Sequence, residues 1–152
     1  MASAAALYSP EVLALATSLS DWPWNAGLPL QDAARSKSCG SAVTLGLAVD
    51  SAGCIAALGI RAQACAIGQA AAAIFAKGAI GKDGAAIAGA DHAICAWLAG
   101  AAPRPDWPEL ELLEPARSYP ARHGAILLAW QAAVTCFTLA ISAAKAGEID
   151  SG

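Results

Sequence analysis

The sequence carries little charge: only 14% of its 152 residues are Asp, Glu, Lys or Arg. The net charge is −3, and the basic residues stand singly along the chain instead of forming a cluster. A protein that binds nucleic acid needs clustered cations to neutralise the phosphates. The composition therefore disfavours nucleic acid as a partner.

The first residues do not look like a secretory signal, because they lack a charged segment followed by an apolar one. The cysteines are odd in number and widely spaced: Cys39, Cys54, Cys65, Cys95 and Cys136. Such a set does not predict a disulfide framework. We expect reduced thiols in a cytoplasmic protein.

Hydrophobic residues make up 57% of the chain, which fits one domain over residues 1–152 with a substantial core. No charged residue occurs between Arg122 and Lys145. This run exceeds the ~20 residues that a membrane span needs, but it contains Gly124, Gln131 and several hydroxyl residues. We interpret it as a helix that is buried or faces a partner, such as a second copy in a homodimer, and not as a membrane span.

The clearest strand is predicted for residues 42–49, where large and small side chains alternate. Turn-forming residues follow at 50–53, and residues 54–63 form the predicted return strand. On that strand Leu58, Ile60 and Ala62 share one face, and Ile55 falls on the other. A short additional strand is predicted at 33–38.

Helices are predicted on both sides of these strands. The first runs from Ser9 to about Leu19, the second from Cys65 to Lys77 with Gly78 ending it, and the third begins at Lys82-Asp83-Gly84 and runs to Leu98. A proline-rich connection over 101–120 leads to the last helix, at about 121–146. Segregated strands and helices predict an α+β fold, with a small antiparallel sheet of two or three strands packed against helices.

Two cysteines stand at the outer ends of the predicted hairpin, Cys39 before it and Cys65 after it. The outer ends of antiparallel strands are neighbours, so the two thiols can share one site. Gly40 frees the backbone beside Cys39, and the start of a helix favours a thiolate at Cys65. The other three cysteines are expected in the core: Cys54, Cys95 and Cys136.

The two histidines differ in setting. His92 has no cysteine near it in sequence, and we interpret it as a surface or packed residue. His123 stands at the start of the last helix, and neutral imidazole is a common metal ligand. It is the candidate third ligand beside the two thiols.

The chain resembles the NifU-like/IscU-type iron–sulfur cluster assembly scaffold family, including its SUF branch. Cys39-Gly40-Ser41 resembles the family's Cys-Gly-Asp, and Cys65 with the small residues after it resembles the second cysteine and its helix. Pro120-Ala121-Arg122 with Leu128-Ala129-Trp130 is similar to the SUF-branch Pro-Ala-Arg-x-x-Cys-x-x-Leu-Ala-Trp. The resemblance spans about residues 8–145.

This resemblance implies a scaffold that is not an enzyme. Such a protein holds a transient iron–sulfur cluster, or a zinc or iron ion, on three cysteines with a further ligand nearby. It takes sulfur from a cysteine desulfurase and passes the cluster to acceptor proteins. The candidate cluster-binding residues are then Cys39, Gly40, Ser41 and Cys65, with His123 as a further metal ligand.

The sequence departs from the family pattern at two ligand positions. Ser41 replaces the aspartate, and Ala125 stands where the SUF-type pattern has its third cysteine. Three functions remain open: a divergent cluster scaffold or carrier, a scaffold-like interaction module that has lost cluster binding, and a thiol enzyme. The last would use Cys65 with His123 as its base.

Overall fold

A computed structural model of the chain describes residues 7–37 and 40–150, and in the last helix it describes side chains as far as Ser142. Three strands form an antiparallel sheet in the order β1-β2-β3: β1 (Leu30–Arg35), β2 (Ala42–Val49) and β3 (Ile55–Gln63). The α-helices are α1 (Pro10–Ser18), α2 (Ala66–Ala79), α3 (Gly84–Leu98) and α4 (Pro120–Asp150). Two 3-10 helices, Leu19–Asp21 and Leu110–Ser118, complete the described elements. The predicted α+β class and the small antiparallel sheet are confirmed.

The first strand begins and ends earlier than the sequence predicts. It covers Leu30–Arg35 instead of 33–38, with half-buried and exposed residues alternating along it. The polar Gln31 and Asp32 obscure this alternation in the sequence. After Arg35 the chain turns, and the Ser36 amide donates to the Ser41 carbonyl at 2.8 Å.

Strand β3 contains a bulge that the simple alternation did not predict. Ala48 lies opposite Ala57, whereas the next residue, Val49, lies opposite Ile55. Ala56 is therefore an extra residue, and it shifts the alternation by one. Ile55 is consequently buried in the core, and the prediction that it faces away from Ile60 is wrong.

Helix α2 forms the centre of the core, and nearly all of its residues are buried. Its small side chains let neighbouring elements approach closely. The helix continues through Gly78, which the sequence predicted to end it, and reaches Ala79. A Cβ at Gly78 would lie 2.6 Å from the Trp107 ring, so this glycine makes room for an indole. The Trp107 Nε1–H donates to the Ile74 carbonyl at 2.8 Å, which fixes the ring there.

Helix α4 packs against β1, β2, α2 and α3. Its segment Pro120–Ser142 is long and apolar enough to cross a membrane by length and composition, with a mean hydropathy of 1.8. Half of that apolar window is buried inside the fold, as expected for a core helix. Leu139 and Ile141, further along the helix, are exposed.

The cysteines outside the candidate site occupy three different environments. Cys136 is fully buried, and burial, together with the nearby Asp32 carboxylate, raises the pKa of its thiol to about 12. Cys54 is half-buried beside the β2–β3 turn. The prediction that Cys95 belongs to the core is wrong, because it lies on the exposed side of α3 while its neighbour Ile94 points inward.

Gly78→Ala and Gly89→Ala make the same change in two helices with opposite expected results. At Gly78 the new methyl meets the Trp107 ring, and overpacking of this kind costs about 1–3 kcal/mol. At Gly89 nothing lies within 4 Å, and alanine stabilises a helix over glycine by up to about 1 kcal/mol. Denaturant unfolding measures both changes. Equal effects would contradict the close contact at Gly78.

The reactivity of two cysteines should differ sharply in the native protein. With iodoacetamide at about pH 8, the exposed Cys95 is alkylated, whereas Cys136 stays a buried neutral thiol and does not react. Peptide mass spectrometry measures each site, and unfolded protein, in which both react, is the control. Modification of Cys136 at the rate of Cys95 would show that this part of α4 opens readily.

Candidate functional site

Both connections that carry the predicted thiols begin at one end of the sheet. Ala42, the first residue of β2, lies opposite Arg35 at the end of β1 and opposite Gln63 at the end of β3. The β1–β2 connection and the β3–α2 junction therefore leave the sheet side by side. This register confirms the predicted hairpin, while the Asp50–Gly53 turn lies at its opposite end.

The β1–β2 connection contains Gly40 and Ser41 of the candidate site. Gly40 has a φ of 71°, a left-handed conformation that favours glycine. Ser41 is buried, and its carbonyl accepts the Ser36 amide. Cys39 lies outside the described residues, so its role stays a prediction.

Cys65 occupies the N-cap position of α2, as the sequence predicted. Its backbone is extended, with φ −63° and ψ 169°, and its carbonyl accepts the Gln69 amide at 2.9 Å. The side chain is half-buried and makes no capping hydrogen bond. Cys65 thus lies at the N-terminus of a long buried helix.

Ala125 packs against the first turn of α2. A Cβ built on Gly68 would lie 3.5 Å from the Ala125 Cβ, and Gly68 is three residues after Cys65. Position 125 is therefore on the side of α4 that faces the start of α2. Ala125 is itself buried, so its methyl group fills this contact.

His123 is held by the 3-10 helix Leu110–Ser118. Its Nε2 lies 3.1 Å from the Arg117 carbonyl. Because a carbonyl only accepts, Nε2 carries a proton, and Nδ1 is the nitrogen left for a metal. At 100° per residue, His123 projects about 200° around α4 from Ala125. Any metal that binds here while this hydrogen bond persists must use Nδ1.

The β1–β2 connection also faces α4. A cavity of about 330 Å³ is lined by Arg35, Ser36, Lys37, Gly124 and Gln131. Three parts of the chain thus surround the end of the sheet: this connection, the start of α2 and the first turns of α4.

Within the described residues, no three His, Cys, Asp or Glu side chains converge to hold a metal ion. Of the predicted thiol pair, Cys65 is the one that the structure places there.

Sequence reasoning missed two features near the site. The contact between Gly68 and Ala125 was not foreseen, because nothing in the sequence fixes the rotation of α4. Arg35 and Arg61 stand far apart in sequence, yet they line one cavity with Thr44 and Gln63. Period-two alternation along β1 and β3 is the signal that could have placed both arginines on one face.

No protein-family model and no curated protein matches this sequence. Solved structures do match. The N-terminal part of a nitrogen-fixing NifU-like protein from Brucella abortus is 28% identical, with a TM-score of 0.81 over 89% of this chain and 94% of that chain. An iron–sulfur cluster assembly scaffold protein for the SUF system from Fervidobacterium islandicum is 20% identical, with a TM-score of 0.71 over 86% and 96%.

These two structures agree with the resemblance found in the motifs. Of the two, the SUF-system protein is named a scaffold, and at 20% identity its match shows a shared fold. The chain therefore has a NifU/IscU-type scaffold fold.

Proposed function

We propose that this protein is an iron–sulfur cluster assembly scaffold or carrier whose cargo binds to Cys39 and Cys65. The observation that carries the proposal is the position of Cys65. Its thiol lies at the N-terminus of α2, at the end of the sheet where the β1–β2 connection emerges. The match to the NifU-like and SUF-system scaffolds supports this assignment.

Two thiolates leave the ligand set of a cluster incomplete, because clusters usually take four. A second copy of the chain would supply two more cysteines across a dimer interface. A single zinc or iron ion is the other cargo, since two thiolates, one imidazole and an open position suit zinc. His123 is the candidate imidazole from the sequence, and because it projects away from Ala125 on α4, it would have to leave the Arg117 carbonyl to reach the thiols.

A carrier that holds its cluster or metal ion with few ligands can release it readily. This suits cargo that is bound only transiently. A cysteine desulfurase would supply the sulfur, and acceptor proteins would take the finished cluster. We expect the thiols of this site to be reduced, as in a cytoplasmic protein.

A second candidate is an interaction module that has kept the scaffold fold but lost the cluster. The buried Ala125, in contact with the first turn of α2, favours it. A methyl group fills the position that the SUF-type pattern gives to a cysteine. Reconstitution of an iron–sulfur cluster distinguishes the two candidate functions.

Anaerobic reconstitution with iron and sulfide tests the thiol pair. The wild-type protein should gain visible absorbance and bound iron, and Cys39→Ala or Cys65→Ala should reduce bound iron at least about tenfold, since each removes a thiolate ligand. Cys95→Ala is the matched control and should bind as the wild type does, because Cys95 is on the exposed side of α3. Iron binding by both site variants at the wild-type level would support the interaction module instead.

Zinc titration of His123→Ala examines the third ligand. A zinc ion held by Cys39, Cys65 and His123 loses affinity by about tenfold or more when the imidazole is removed. Unchanged zinc affinity in this variant would remove His123 from the ligand set, and water or a partner residue would take its place.

Ala125→Cys tests whether position 125 belongs to the site. A thiol there would lie beside the start of α2, so the variant should retain its cluster against a chelator about tenfold longer than the wild type. Ala129→Cys, equally buried and one helical turn further along α4, is the matched control and should give no gain. Equal retention by both variants would argue against this geometry.

A further inference from the structure

The outer face of the sheet, opposite the core, is half covered. The segment at residues 22–28 crosses it and packs on two glycines. A Cβ at Gly59 would lie 2.5 Å from the Pro23 carbonyl oxygen, and one at Gly46 would lie 3.1 Å from the Leu28 side chain. Gly46 and Gly59 are paired in the register, so this segment covers one end of the outer face.

The other end of the outer face is open, and we name it the basic face. It is lined by Ala33, Arg35, Ala42, Thr44, Arg61 and Gln63, around a cavity of about 320 Å³. The set holds two arginines and no carboxylate, in a chain whose net charge is −3. The basic face therefore has the opposite sign to the protein as a whole.

Neither arginine is neutralised by the described part of the chain. The ion pairs found there use Lys77, Arg104 and Arg117. The Arg61 guanidinium instead lies over the Trp24 ring, 5.2 Å from its centre. This stacking holds one cation in place while leaving its N–H groups for an anionic partner.

The register fixes the spacing of the two charges. Arg35 lies opposite Ala42, and Arg61 lies opposite Thr44, two residues further along β2. Arg35 and Arg61 are separated by two strand spacings across the sheet and by two residues along the strands. Their Cα atoms are therefore about 12 Å apart. Carboxylates on alternate residues of an extended chain are about 7 Å apart, so a short acidic stretch can reach both guanidinium groups. The small Ala33 and Ala42 leave room between them.

We propose that the basic face is a docking surface for an acidic, extended segment of a partner protein. It adjoins the candidate site, because Arg35 and Gln63 are the last residues of β1 and β3 before the two connections of the site begin. A segment bound here would bring its protein next to Cys65. The identity of that protein as a sulfur donor or cluster acceptor rests on the proposed function, whereas the binding of an acidic segment does not.

An NMR titration of the isotope-labelled protein tests the proposal. The probe is a peptide in which glutamate alternates with serine, and its control is the same peptide with glutamine in place of glutamate. The acidic peptide should shift the backbone amides of Ala33, Thr44, Arg61 and Gln63 and bind more weakly as salt is added. The double variant Arg35→Gln/Arg61→Gln should bind it about tenfold more weakly.

Lys77→Gln/Arg104→Gln is the matched control, since it removes the same charge from cations that already pair with carboxylates. It should bind the acidic peptide within about twofold of the wild type. Equal weakening in both double variants, or equal binding of the glutamine peptide, would overturn the proposal.

The other possible occupants give different results, and each would overturn the proposal. Tighter binding of free citrate than of the peptide would indicate a small anion, and tighter binding of oligothymidylate would indicate nucleic acid. A dimer in sedimentation that Arg35→Gln/Arg61→Gln dissociates would indicate a second copy. Cluster reconstitution of Arg61→Gln alone, which leaves the cavity beside α4 intact, should match the wild type, so failure of the docking proposal remains distinct from failure of the proposed function.

Discussion

The structure depends on the close approach of its elements to α2, which is possible because that helix is built mostly from alanine and glycine. Each alanine buries little area, so stability comes from contacts on all sides of the helix and not from a few large side chains. Large indole rings reach it from the neighbouring elements. Phe75, Trp107 and Trp130 illustrate this: two indoles from outside the helix meet its one aromatic ring, with ring centres 5.4–6.1 Å apart.

The same packing shapes the candidate site. Helix α2 packs against α4 through Gly68 and Ala125, within one turn of Cys65. A side chain at position 125 therefore serves either the contact between the helices or the binding of cargo. In this chain it is a methyl group. The departure from the SUF-type pattern at this position therefore affects the packing of two helices as well as the number of ligands.

Sequence reasoning succeeded for features that depend on residues close together in the chain, such as the alternation of a strand or the end of a helix. It predicted β2, its turn and the N-cap position of Cys65, because alternation, turn residues and a change of period are local signals. It failed where contacts between elements decide the outcome. The bulge at Ala56, the extension of α2 through Gly78 and the exposure of Cys95 each depend on neighbours distant in sequence. The rotation of α4, which separates Ala125 from His123, is of the same kind.

The segment that crosses the outer face has an effect beyond covering it. The Trp22 carbonyl accepts the Ile60 amide at 2.9 Å, and this amide points away from β2 towards the free edge of β3. A three-stranded sheet has two edges, and an open edge is a template for pairing with other chains. Because the Ile60 amide is already hydrogen-bonded to this segment, the edge of β3 is less able to pair with another chain. Aggregation of this apolar-rich chain is thereby disfavoured.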